Sequence, residues 1–129
     1  AADLNKLPVL ETRAVLENLD FSLELYQELI GIYRATCAGL GDELAEILAG
    51  DNLKDIRTSA HSLKGIVSSI GGKRLEEVTS QIQNMCHEGK KPAVSVWAAL
   101  VKAESSALNA AIASINWEAM RKFVKENKP

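Results

Sequence analysis

The sequence predicts an all-α fold: an up-down antiparallel four-helix bundle with an additional short N-terminal helix and a C-terminal tail helix. Three observations lead there. Proline occurs only at positions 8, 92 and 129, so the long middle stretch, rich in Ala, Leu and Glu, has none. Apolar residues recur at alternating spacings of three and four, the period of a helix face. Glycines at 50, 71, 72 and 89 punctuate that pattern and leave segments of bundle length joined by short connections. The 129 residues read as a single domain, 1–129, with its core over 20–115, long enough to bury that core without metal or disulfide.

Ala1–Lys6 carry no pattern and read as a linker, weakly favouring an excised module over a free protein. A first short helix is expected after Pro8, which suits a first helical turn; it uses Val9, Leu10 and Val15 and stops near Asn18. A second, long helix is expected from Ser22 to Ala49, with Leu25, Leu29, Ile32, Thr36, Leu40, Leu44 and Ile47 as its inward stripe. Gly39 and Gly41 mark a weak point where that helix can kink or break, and Gly50 should end it in a left-handed conformation. Asp51 or Asn52 then caps a third helix, whose stripe Ile56, Ala60, Leu63, Val67 and Ile70 is spaced like a bundle seam. Gly71-Gly72 breaks the chain. A fourth helix resumes near Lys73 with Leu75, Val78, Ile82 and Met85 inward, and Gly89 and Pro92 close it. A fifth carries Val94, Trp97, Val101, Leu108 and Ile112; a tail helix follows Asn116, its expected cap, with Trp117, Met120 and Phe123 as contacts.

Several classes of function are disfavoured. The formal net charge is -2 and the pI about 5.7, with no basic excess of the kind nucleic-acid binders carry. No apolar run approaches the length of a membrane span, and no signal peptide opens the chain, so no direct membrane contact is expected. Cys37 and Cys86 fit no zinc spacing and read as reduced core thiols of a cytoplasmic protein.

The third helix carries the chemistry. With its seam inward, about 100° per residue turns His61 away from the core, together with Lys54, Arg57, Lys64, Gly65 and Ser68. A neutral imidazole has a free nitrogen lone pair that can attack phosphorus, and its ordinary pKa of about 6.5 leaves it mostly neutral at pH 7. Lysine is a good point-charge partner for phosphate oxygens. Gly65 is costly inside a helix, and one reason to keep it is to let a partner's loop approach the imidazole. Each feature alone has a blander reading, as a solvated histidine, an ordinary helix-face lysine or a packing glycine. The combination at one spacing is what counts.

The string Ala60-His61-Ser62-Leu63-Lys64-Gly65 resembles the His-x-Leu-Lys-Gly signature of histidine-containing phosphotransfer (HPt) domains. The likeness runs on through Ile66-Val67-Ser68-Ser69-Ile70-Gly71, extends back to the turn at Leu48-Ala49-Gly50-Asp51, and resumes with Leu75 and Glu76, covering residues 20–112. The resemblance implies that His61 is the phosphorylated residue, that Lys64 supports the phosphoryl group and that Gly65 gives the partner room. It also implies that Gln83, on the next helix, hydrogen-bonds near the imidazole or phosphate. His87, where some members have a basic residue, reads as a surface side chain, and a metal site from His61, His87 and Cys86 is not expected.

The implied function is phosphoryl exchange between His61 and the aspartate of response-regulator receiver domains, one of which can belong to the same parent kinase. The transition state is loose, so positioning and charge dominate. No cofactor of the chain's own is expected. Mg²⁺ should sit on the receiver, and without an ATP loop the chain should be a phosphocarrier and no kinase. Docking is expected to use Lys54, Arg57, Gly65, Ser68 and an apolar patch including Ile66, with the carrier a monomer. Two other classes compete: a non-catalytic helical adaptor using the same surface, which phosphorylation of His61 separates, and a small helical enzyme or metal protein, which lacks a second cluster of acids, bases or ligands.

Overall fold

The computed structural model describes residues 4–129, whose regular elements are all helical. A 3₁₀ turn at Leu4–Lys6 precedes α1 (Thr12–Asn18), α2 (Leu23–Ile32), a π-helical turn at Tyr33–Cys37 and α3 (Leu40–Ile47). Then come α4 (Leu53–Ile70), α5 (Lys73–His87), α6 (Val94–Ala113) and α7 (Trp117–Asn127). The broken leg α2–α3 forms a four-membered bundle with α4, α5 and α6, each packed on its neighbours, while α7 lies across α1 and α2.

Long-range contacts fix the antiparallel order. The Tyr26 hydroxyl, near the start of α2, donates to Ile70 O at the end of α4 (3.0 Å). Asn109 Nδ2, late in α6, donates to Ala38 O just before α3 (3.3 Å), and Gly41 lies against Ser105 and Val101 of α6. A β-carbon at Gly41 would overlap the Ser105 side chain, so α3 and α6 approach as closely as they do because position 41 has none.

The tightest pairing is α4 with α5. Asn52, the second of the two expected candidates, caps α4 by accepting the Asp55 N–H (3.2 Å), and the seam Ile56, Ala60, Leu63, Val67 and Ile70 is buried as its spacing predicts. Gly71 ends α4 in the left-handed region (φ 93°), and Gly72 opens α5. This reversal lays Leu75, Val78, Thr79, Ile82 and Cys86 against the seam. Thr79 is buried without penalty because its hydroxyl donates back to Leu75 O and Glu76 O. Met85, expected inward, is only half-buried, since α5 turns Cys86 into the core instead.

The remaining departures sit in the first half of the chain. Ala1–Asp3 lie outside the described residues, but Leu4–Lys6 form a turn rather than unpatterned chain. The first helix starts at Thr12, well after Pro8, because residues 7–11 strap across the α4–α5 reversal: Arg74 Nε donates to Leu7 O (2.8 Å) and Glu11 N–H to Gly71 O (2.8 Å). The Glu11 carboxylate then caps α1. The long second helix does break, through the π turn and then Ala38–Gly39. Its inward stripe in α2 is Tyr26, Ile30 and Tyr33, one residue out of phase with the expected Leu25, Leu29, Ile32 and Thr36. Both stripes have helical spacing. The tyrosines bury more surface, and Tyr26 also satisfies a carbonyl at the end of α4, so their phase wins. Gly50 is not left-handed: i→i−3 bonds from Ala49 to Glu46 and Gly50 to Ile47 close α3 without such a residue. The tail helix starts after the Asn116 cap as expected; its Trp117 meets Tyr26 edge to face and its Phe123 packs at a tilt against Phe21.

Gly71→Ala should destabilise the protein by about 2–4 kcal/mol, because the side chain meets both a left-handed backbone and the Glu11 carbonyl. Urea unfolding followed by circular dichroism measures this; a loss below about 0.5 kcal/mol would show that the strap and reversal relax freely.

Candidate functional site

The site is a stripe along the solvent side of α4. His61, Lys54, Arg57, Gly65 and Ser68 are exposed there, Lys64 is half-buried, and half-buried Ile66 lies on the flank away from α5. Asn52 starts α4 and Gly71 stops it, and the buried seam fixes its rotation; His61 faces outward because Ala60 and Leu63 face inward. Among the described residues no carboxylate pairs with Lys54, Arg57 or Lys64. Three uncompensated cations therefore share one helix face with an exposed imidazole.

Gln83 is brought to His61 by the α4–α5 pairing, with its Nε2 3.0 Å from His61 Nδ1. The other atom of that amide, Oε1, is buried without a partner. One imidazole nitrogen is thus tied to the neighbouring helix; with the amide nitrogen donating to Nδ1, the proton of the neutral ring lies on Nε2. The second nitrogen's state follows from the first: if the amide oxygen faces Nδ1–H, the Nε2 lone pair is free to attack.

Gly65 is an exposed glycine in the interior of α4, and a β-carbon built there meets nothing within 4 Å. It therefore makes no packing contact that would account for it. Gly31 in α2 is equally open, so it is the position of Gly65, one turn from His61, that gives it significance. The surface grooves against α7 and at the α3–α4 corner are not lined by His61, Lys64 or Gln83, so the imidazole stands on an open face that suits a macromolecular partner.

Two exposed apolar residues went unrecognised in the sequence. Leu25 and Ile32, expected in the core, are 41% and 53% exposed on α2, beside half-buried Leu29. The signal was there as two adjacent apolar stripes on one helix, of which a bundle buries only one. Arg57 reaches across to α5: burial pushes the Cys86 thiol up, and the Arg57 guanidinium partly opposes that shift. Cys37 and Cys86 are both free thiols, and no group of three or more His, Cys, Asp or Glu gathers as a metal would need among the described residues.

The fold is a helical bundle that carries an exposed, anchored histidine and three cations on one helix face. In agreement, a family model described as Hpt domain matches residues 28–115, more than half of the chain, and the chain belongs to that family. Its function is histidine phosphotransfer in phosphorelays, where such domains interact with receiver domains. No curated protein and no solved structure matched. Among the described residues no helix is long and apolar enough to cross a membrane.

Gly65→Ala should stabilise α4 by about 0.5–1 kcal/mol, the ordinary helix preference for alanine where nothing is displaced. Thermal or urea unfolding reads this directly; destabilisation would reveal a packing role for the glycine.

Proposed function

We propose that His61 is the residue phosphorylated in this domain and that it exchanges the phosphoryl group with the aspartate of a receiver domain. The observation that carries the reading is the exposed His61 with Nδ1 held by Gln83 amid unpaired cations. In the forward direction the Nε2 lone pair attacks phosphorus in line. The N–P bond forms as the P–O bond to the receiver's aspartate breaks, and the carboxylate leaves on the receiver. With the Gln83 amide turned end for end from its present orientation, Oε1 accepts from Nδ1–H, the proton resides on Nδ1 and Nε2 is the nucleophile.

Lys64 pairs with phosphoryl oxygens, as do Lys54 and Arg57 with the acidic receiver pocket, where Mg²⁺ and its carboxylates belong. Gly65 and Ser68 leave room for a partner loop. The apolar part of the contact is half-buried Ile66. The domain acts as a monomeric carrier without kinase activity of its own, and its free thiols suit the cytoplasm.

Incubation with a phosphorylated receiver domain and Mg²⁺ tests the reading. The parent should acquire acid-labile, alkali-stable label and His61→Gln none, with its helical content intact. No label on the parent from a broad receiver panel would favour the adaptor alternative. Lys64→Ala should slow transfer or shorten the phosphorylated form's lifetime by about three- to tenfold, the worth of a charge-assisted contact of about 1 kcal/mol. Unchanged rate and lifetime would remove that lysine from the site.

A further inference from the structure

Charge is unevenly spread over this chain. The formal net charge is -2, yet α7 and the residue after it carry Arg121, Lys122, Lys125 and Lys128 against Glu118 and Glu126. Trp117, Met120, Phe123 and Val124 are half-buried against the bundle, so the cations are what α7 turns to solvent. Lys122 meets Glu126 at 3.9 Å. Among the described residues no carboxylate lies within ion-pair distance of Arg121, Lys125 or Lys128. A groove between α7 and the start of α2 is lined by half-buried Phe21, Leu23 and Val124 together with exposed Arg121, Lys128 and Glu24. The backbone at its edge is strained. Asp20 and Phe21 are both left-handed (φ 53° and 61°), a region that aspartate tolerates and a bulky residue rarely occupies. The Phe21 N–H donates to Leu16 O (2.7 Å), which holds the turn, and its ring lies against Phe123 with centroids 6.1 Å apart. Strain of this kind persists where the surroundings enforce it, and it collects at sites that clamp ligands.

We propose that the groove between α7 and the start of α2 docks an acidic segment of a partner polypeptide. Its carboxylates meet Arg121 and Lys128, and one aliphatic or aromatic side chain packs on Phe21, Leu23 and Val124. The groove shares no residue with the His61 stripe on α4, and the proposal does not depend on the phosphotransfer reading. Charge complementarity selects the occupant. Glu24, Glu118 and Glu126 stand among the cations, so the continuous phosphates of a nucleic acid would meet like charges there. A polypeptide can space its carboxylates between those positions. An anionic bilayer would need apolar side chains facing it, and those of α7 face the bundle. The apolar lining beside unpaired cations therefore fits a ligand that is acidic and apolar at once, which a protein segment supplies.

The test titrates the full chain at low salt with a fluorescein-labelled peptide that intersperses Glu with Leu and Phe, read by anisotropy. Amide NMR spectra of the same mixture locate the contact. Binding should shift amides in residues 20–24 and 117–128 and should weaken as salt is added. Arg121→Glu combined with Lys128→Glu should weaken it about tenfold, since two exposed attractions become repulsions. Phe21→Asn keeps a residue that accepts the left-handed turn and removes the ring; it should weaken binding about threefold or more, with helical content unchanged by circular dichroism. The same peptide with Lys in place of Glu should not bind. Absence of saturable binding by the acidic peptide would overturn the proposal, as would amide shifts concentrated on α4 around His61. Tighter binding of a single-stranded DNA oligonucleotide or of phosphatidylglycerol vesicles, lost on the Arg121 and Lys128 charge reversals, would also overturn it and assign the surface to that class of ligand.

Discussion

The pairing of α4 with α5 governs both the stability and the chemistry of this domain. Gly71 can take a left-handed turn that any side chain would obstruct, so α5 begins within two residues of the end of α4 and must run back along it. With the seam of α4 buried against Leu75, Val78 and Ile82, neither helix can slide or rotate without exposing core. That constraint brings Gln83 to His61 over a separation of 22 residues. The strap of residues 7–11 and the Tyr26 hydroxyl both terminate on the same corner, so the N-terminal elements reinforce the reversal that aligns the site.

Local losses collect on the face that this pairing presents. A glycine sits in an open helix interior, cations lack carboxylate partners, and an amide oxygen is buried alone. Each would be removed by selection for stability alone, at a gain of roughly a kilocalorie per mole or less in most cases. They adjoin one histidine, and a docked partner that brings acidic and apolar surface would offset all of them together. The rigid core opposite, with Ile56, Ala60, Val67 and Ile82 fully buried, supports that unfavourable face.

Much of this was legible in the sequence. The seam of α4 was assigned residue by residue, since a five-member stripe with a single possible phase leaves no competing choice, and that phase by itself turned His61, Arg57, Lys64 and Gly65 outward. Gln83 was legible only as a boundary residue aided by resemblance; its contact with Nδ1 depends on the axial register of two helices, which no periodicity encodes. The first half of the chain was read less well. Pro8 suggested a helix start, but hydrogen bonds to the α4–α5 corner draw residues 7–11 into a strap. In α2 two stripes of equal spacing competed, and the burial of Tyr26 and Tyr33 decided between them.

The sequence by itself determined the helical class, the break points at Gly71-Gly72 and Gly89, and the outward face of the histidine helix, because helix period and glycine conformation act within a few residues of chain. Tertiary structure decided the start of α1, the phase of α2 and the partner of His61. Each of those depends on contacts between segments far apart in sequence, where packing area and a few buried hydrogen bonds outweigh local preference.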